Sequence, residues 1–169
     1  MVTEEADKRL AEAGLANDYS AEERAVTAKM VGVATLKFAD LSNYRLTDYI
    51  FDIARFSKFE GKTGPYLQYA AVRIQSILRR AKEQGFATAE PVIRSDEERK
   101  LALQLLALPD VMAAAEARRA PNLICDYVFN LAQEFSRFYS EHHILSETDA
   151  DLRAARLGLC ALTLETLRK

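Results

Sequence analysis

Three side chains that could hold single-stranded RNA are spaced so that they share one face of a helix. Tyr66, Tyr69 and Arg73 stand at positions i, i+3 and i+7, directly after Pro65, a residue favoured in the first turn of a helix. Unpaired bases stack on aromatic rings and guanidinium planes, and Gln68 adds an amide for hydrogen bonds to base edges. The alternative is that both tyrosines are core aromatics with their hydroxyls at the rim, and spacing alone favours that alternative.

The loop before this helix has the residue types of a phosphate contact. It comprises Glu60, Gly61, Lys62, Thr63 and Gly64. Its backbone N–H groups, the helix N-terminus that follows and the Lys62 cation all favour an anion. It is not a nucleotide-binding loop of the Gly-Lys-Thr type, because the earlier glycine at the required spacing and a preceding strand are missing.

Charge is unevenly distributed along the 169 residues. The formal net charge is −2, but eight Lys or Arg against three acids between residues 44 and 82 give that stretch a net charge of +5. A basic segment inside an acidic chain can attract phosphates. A solvated helix face would show the same charges, and charge alone favours that alternative.

The composition, 49% hydrophobic and 28% charged, is that of a globular protein with one domain-sized core. No apolar run approaches the ~20 residues that span a bilayer. The acidic N-terminus lacks the apolar core of a signal peptide, so we expect a cytoplasmic protein with no membrane partner.

We expect no catalytic site and no metal site in this chain. His142 and His143 are adjacent, so on a helix they point in different directions and cannot chelate one ion together. Cys125 and Cys160 lie in apolar helical patterns without a second ligand at metal-binding spacing, which predicts buried reduced thiols.

Helical periodicity dominates, and alternating strand patterns are absent, so we predict an all-α bundle of six or seven helices. A capping-box pattern starts one helix at Ser20, and that helix should reach about Leu41. Another should run from Pro65 to Gln84, and residues 48–52 should form an extended or turn segment. In the first of these helices, the i, i+3, i+4 spacing predicts one apolar face formed by Val26, Met30, Val33 and Leu36 or Lys37.

The stretch from Phe59 to Arg73 resembles the signature at the start of the anticodon-binding domain of arginyl-tRNA synthetases. In that family a Phe-Glu-Gly loop leads into Thr-Gly-Pro-Tyr-Leu-Gln-Tyr, followed by an arginine. The matching residues are Phe59, Glu60, Gly61, Thr63, Gly64, Pro65, Tyr66, Leu67, Gln68, Tyr69 and Arg73. Residues 121–145 are similar to the family's late helix, and Ala154–Leu157 matches the motif after which the DALR domain is named.

The resemblance covers roughly residues 20–169, with residues 1–19 as a segment from the junction with a catalytic domain. It implies a class I synthetase anticodon-binding domain of the kind that helps to charge tRNA-Arg with arginine using ATP. By resemblance, the contacts to the anticodon loop come from Tyr66, Tyr69, Arg73 and residues 60–64, and Tyr139 matches a late-helix tyrosine that approaches the anticodon. The implied partners are the anticodon arm of tRNA-Arg and the catalytic domain of the same polypeptide, not DNA.

The chain departs from the family pattern in several places. Lys62 stands where asparagine is usual, and the chain stops at Lys169, before the family's Gly-rich apolar tail. The His-Ile-Gly-His and Lys-Met-Ser-Lys types of motif are missing, so we interpret the sequence as part of a longer enzyme, inactive alone, whose ATP and arginine sites lie elsewhere. The alternative function is a helical protein-interaction or structural domain without an RNA role.

Overall fold

The computed structural model describes residues 1–15 and 17–169, which form helices and connections and contain no strand. The helices are α1 Val2–Glu12, α2 Ala21–Leu41, α3 Ile53–Phe56, α4 Gly64–Glu83, α5 Asp96–Leu106, α6 Leu108–Arg118, α7 Asn122–Glu141 and α8 Ala150–Arg168, with a 3-10 turn at Ile144–Ser146. Among these described residues, seven helices are longer than a single turn. The predicted all-α bundle of six or seven helices is therefore confirmed.

The helix boundaries follow from local capping chemistry. Ser20 accepts a hydrogen bond from the Glu23 amide, and the Glu23 carboxylate accepts one from the Ser20 amide, which completes the predicted capping box. At the far end of α4, Gly85 takes a positive φ of 74°, the conformation that ends many helices. Both ends of these helices lie where the sequence predicted them, within one residue.

The main core lies between α4, α5, α7 and α8. Its buried members are Ile74, Ile77, Ala81, Leu101, Tyr127, Leu131, Phe135, Phe138, Ile144, Leu157, Leu159, Cys160 and Leu164. Helix α4 contacts α2, α7 and α8, so the helix with the predicted RNA-binding residues is held on several sides. The buried residues of α4, among them Ile74 and Ile77, face the core, so the opposite face of the helix is available to a ligand.

A buried ion pair joins α5 to α8. Glu98 is fully buried, and its carboxylate accepts a hydrogen bond from Nε of Arg156 at 2.8 Å. Arg156 also pairs with Glu147 at 2.7 Å. Burial works against ionisation of Glu98, but hydrogen bonds from Arg156 and from the amides of Arg94 and Ser95 outweigh it and hold the pKa of Glu98 below its ordinary value. Glu98 therefore both caps α5 and connects it to α8.

The face of α2 that packs inward differs from the predicted apolar face. Val26, Met30, Val33 and Leu36 are all exposed, whereas the buried residues of α2 are Ala28, Val31, Gly32, Thr35, Phe38 and Ala39. The reason is the small size of several inward residues: a Cβ at Gly32 would lie 3.4 Å from the Thr3 backbone of α1. Small residues let neighbouring helices approach closely, so α2 packs through them and turns its larger apolar side chains outward.

Among the described residues, no helix combines the length and the apolar character needed to cross a membrane.

Candidate nucleic-acid interface

The start of α4 is fixed by Thr63. Its hydroxyl oxygen accepts a hydrogen bond from the Tyr66 amide at 3.2 Å and donates one to the Lys58 carbonyl at 2.6 Å. The side chain is 4% exposed. Thr63 therefore acts as the N-cap that orients the first turn of α4 and its tyrosine.

Gly64 permits a close crossing of α2 and α4. A Cβ at this position would lie 2.2 Å from the carbonyl oxygen of Ala34, a distance that no side chain tolerates. Like Thr63, Gly64 is buried. The resemblance placed both residues among the RNA contacts. Because both side chains are buried, they position α4 and offer no surface to a ligand.

Tyr69, Arg73 and Tyr139 come together in an open cleft. The cleft has a volume of about 690 Å³ and runs between α2, α4 and the end of α7. Tyr69 is 42% exposed, and the Arg73 guanidinium carbon lies 4.6 Å from the centre of the Tyr139 ring. Tyr139 is the residue that matches the late-helix tyrosine of the family. It is 66 positions away from Arg73 in the sequence, so the two side chains meet only in the folded chain.

The Arg73–Tyr139 pair is anchored in the core. The Tyr139 ring lies nearly parallel to that of Phe135, with centroids 6.1 Å apart and an interplanar angle of 17°. Phe135 is fully buried. Within residues 1–15 and 17–169, Arg73 forms no hydrogen bond and no ion pair, so a cation–π contact orients it while its N–H donors stay available.

Tyr66 lies outside this cleft. Its ring packs against Phe129 of α7, with centroids 5.6 Å apart and planes tilted by 59°, and the side chain is half-buried. The two tyrosines of the signature therefore face different neighbours, although they share one face of α4. The ring of Tyr69 is accessible for stacking, whereas the ring of Tyr66 is partly covered by Phe129.

Gln68 and Lys62 already have partners within the chain. The Gln68 amide donates to the Met30 carbonyl at 3.4 Å, which ties α4 to α2 at the edge of the cleft. Lys62 forms an ion pair with Asp126 of α7. Glu60 lies 3.9 Å from the Lys58 ammonium in a loose surface pair. The Lys62 cation would reach a phosphate only by sharing or leaving Asp126.

Gly61 is the exposed tip of this loop. It adopts a φ of 72°, and a Cβ there would meet nothing within 4 Å. The glycine is therefore required by its backbone conformation and not by packing. The tip projects beside the start of α4, where a helix N-terminus attracts anions.

Sequence reasoning missed several cleft residues. Arg80 lines the cleft and is exposed, and it follows Arg73 by seven positions on the same helix, so its spacing could have identified it. Tyr19 and Met30 also line the cleft, but they come from distant positions, and no local pattern signals their approach.

Neither of the two cysteines offers a reactive thiolate. Burial raises the pKa of the Cys125 thiol to about 11 and that of Cys160 to about 12, so both thiols stay protonated at neutral pH. Neither forms a disulfide, and both are buried as predicted. In the part of the chain that the structure describes, no group of three His, Cys, Asp or Glu side chains could hold a metal ion.

Comparison with solved structures defines the class of fold. The chain superposes on the Thermus thermophilus arginyl-tRNA synthetase with a TM-score of 0.83 and 29% identity, covering 98% of this chain and 29% of that one. The architecture is therefore that of a helical portion found in arginyl-tRNA synthetases. The DALR anticodon binding domain family matches residues 67–169.

Curated relatives agree with this class. The chain is 54% identical over 164 residues to the arginine–tRNA ligase of Maricaulis maris (strain MCS10), covering 97% of this chain and 28% of that protein. It is 40% identical over 153 residues to the arginine–tRNA ligase of Escherichia coli O1:K1 / APEC, covering 89% of this chain and 26% of that protein. The chain belongs to the DALR anticodon-binding domain family. It spans between 26% and 28% of the length of these relatives.

Proposed function

We propose that this chain binds tRNA-Arg by the anticodon loop and does so as one part of a polypeptide that charges this tRNA with arginine. The family match, the names of the relatives and the open cleft support this proposal. This role would place the protein in the cytoplasm. ATP and arginine would bind the catalytic domain of that polypeptide, and the catalytic domain is the second partner.

The observation that carries the proposal is the half-exposed Tyr69 beside the Arg73–Tyr139 pair. An unpaired base entering the cleft would stack on the Tyr69 ring, since stacking requires only an accessible aromatic face. The guanidinium of Arg73 would donate to the base edge or to the phosphate next to it. Arg80, further along α4, adds a second cation for the nucleic-acid backbone.

The exposed residues 60–62 of the loop, together with Tyr66, would bind a neighbouring part of the anticodon loop. Lys62 supplies a cation, and the exposed backbone at Gly61 supplies N–H donors beside the N-terminus of α4. A phosphate there competes with Asp126 for Lys62. We therefore assign the anticodon bases to the cleft and the phosphate backbone to this loop.

A pair of tyrosine substitutions tests the proposal. Tyr69→Ala should weaken binding of tRNA-Arg by about 1–3 kcal/mol, the contribution of one stacked base. Tyr44→Ala is the matched control, because Tyr44 is also 42% exposed but does not line the cleft. Binding is measured by fluorescence anisotropy with labelled tRNA-Arg at fixed salt.

The control variant should bind tRNA-Arg as the parent does. Equal affinity of the parent and Tyr69→Ala would show that the cleft is not the base site. Negligible binding by the parent at physiological salt would favour the alternative, a protein-interaction or structural domain.

A further inference from the structure

The turn between α6 and α7 carries two exposed arginines whose charges have no partner within the described chain. Arg118 is the last residue of α6, Arg119 follows it, and both are exposed. Among residues 1–15 and 17–169, no hydrogen bond and no ion pair engages either guanidinium group. Both groups are therefore free to bind an anion.

The end of α6 does not need these charges for its own stability. A cation near the C-terminus of a helix commonly donates to the last carbonyls and interacts with the helix dipole. Arg45, from the segment after α2, already occupies that place. Its Nη1 atom donates to the carbonyls of Arg118 at 2.8 Å and of Arg119 at 2.5 Å.

Arg119 also stands at a position where glycine is the common residue. It adopts a φ of 49° and a ψ of 49°, and it is the only non-glycine residue with a positive φ in the part of the chain that the structure describes. Its amide and that of Ala120 donate to the carbonyls of Glu116 and Ala115, a pattern that ends many helices with a glycine. The backbone therefore gives no reason for an arginine here.

The two arginines adjoin the N-terminus of α7. This helix has 20 residues, begins at Asn122, and has neither a side-chain cap nor an acid in its first turn, so its first amides present a partial positive charge. Lys62 lies beside the next turn, where it pairs with Asp126. We name Lys62, Arg118, Arg119 and the first turn of α7 the α6–α7 corner.

The α6–α7 corner is basic and lies apart from the cleft. Residues 116–126 with Arg45 and Lys62 carry four cations against two acids, Glu116 and Asp126, a net charge of +2. Asp126 and Tyr139 are thirteen positions apart on α7, which is about 20 Å along the helix axis. An RNA with a base in the cleft would therefore meet the corner with other nucleotides.

We infer that the α6–α7 corner binds the phosphate backbone of the anticodon stem, with Arg118 and Arg119 each contacting a phosphate. The inference rests on the proposed function and adds a surface to the residues named from the sequence. Guanidinium groups and a helix N-terminus both suit phosphate oxygens. Residues 116–126 include no aromatic side chain that could stack on a base, so the corner fits base-paired RNA, whose bases are not free to stack on protein.

Arg119→Gly separates binding from stability. The substitution removes one cation and supplies the residue that the positive φ favours, so the chain should resist urea at least as well as the parent. Its affinity for tRNA-Arg should nevertheless fall about fivefold at physiological salt, because one phosphate contact is lost. A variant that binds as tightly as the parent would overturn the role of Arg119.

The salt dependence of binding counts the contacts. In Arg118→Gln/Arg119→Gly, the slope of log affinity against log salt should become shallower by about 0.7–0.9 for each lost phosphate contact. The matched control is Arg99→Gln/Lys100→Gln, which also removes two exposed cations, but from α5 near Ser95, whose hydroxyl is bonded to His142 beyond the far end of α7. The control should keep the parent slope. An unchanged slope in the corner variant, or an equal change in both variants, would overturn the inference.

The choice of RNA identifies the stem and keeps the two proposals separate. The slope difference between the parent and the corner variant should appear with tRNA-Arg and with a hairpin of its anticodon stem and loop, but not with a single-stranded oligonucleotide of the loop. A difference that persists with the oligonucleotide would overturn the assignment to the stem. The preference of the parent for the native anticodon should be kept in the corner variant, because phosphate contacts carry no sequence information. A parent that prefers the native anticodon, with no slope difference, would overturn the inference alone, whereas a parent without that preference would overturn the proposed function.

Discussion

The guanidinium of Arg73 is oriented by an aromatic ring and not by a carboxylate. A carboxylate partner would neutralise its charge and occupy its donors, whereas the Tyr139 ring holds the plane and leaves both available. The ring itself is backed by the buried Phe135. At the scale of the residue, the cleft thus presents a cation that is already in place before any ligand arrives.

Arginine and lysine should differ at this position. Arg73→Lys keeps the charge but loses the planar contact with Tyr139 and the forked donors, so we expect weaker tRNA-Arg binding by about 0.5–1 kcal/mol. The slope of log affinity against log salt should stay as in the parent, since the number of cations is the same. Anisotropy titrations at several salt concentrations measure both quantities. Parent-like affinity in Arg73→Lys would mean that the planar contact has no role in binding.

Thr63 is expected to act on stability. Thr63→Ala removes the hydroxyl that caps α4 and should lower the free energy of unfolding by about 1 kcal/mol, whereas Thr63→Ser keeps the cap and should be close to the parent. Urea unfolding followed by circular dichroism measures the difference. A Thr63→Ala variant as stable as the parent would contradict the capping role.

At the scale of the element, the sequence was informative where local chemistry decides the outcome. The capping box at Ser20 and the bounds of α4 depend on near neighbours, and both lie where predicted, within one residue. The inward face of α2 did not follow its larger apolar residues, because close approach at Gly32 and Gly64 depends on which helices meet. Periodicity cannot choose between two apolar faces of one helix.

The junction of α5 and α8 should be sensitive to acid. The folded-state pKa of Glu98 is lowered, so its carboxylate stabilises the fold above the ordinary glutamate pKa of about 4.3, and this contribution is lost as the pH falls below that value. Urea midpoints measured between about pH 6 and pH 3 should fall steeply in the parent. Glu98→Gln should be less stable at neutral pH and show a shallower decline.

Glu97→Gln, one position earlier on α5, is the matched control for this acid dependence. It should retain the steep decline of the parent, since Glu97 is not bonded to Arg156. An identical decline in the parent and in Glu98→Gln would show that this ion pair does not govern the acid sensitivity.

At the scale of the whole molecule, the candidate site was only partly visible in the sequence. The resemblance pointed to Tyr69, Arg73 and Tyr139, which share the cleft, but also to Thr63 and Gly64, which are buried. A signature records which residues occur together and not whether each one binds a ligand or shapes the fold. The tertiary packing of α4 against α2 and α7 makes that distinction, and local spacing does not contain it.

Discrimination between anticodons is the most direct test of tRNA binding through the cleft. The 169-residue chain is titrated with tRNA-Arg transcripts that carry the native or a replaced anticodon, at two salt concentrations. We predict tighter binding of the native anticodon at both, by about 1–3 kcal/mol for each base whose edge hydrogen bonds are lost, because stacking alone does not distinguish one base from another. Equal affinity for all transcripts, with a dependence on salt alone, would show a merely basic surface and contradict the account.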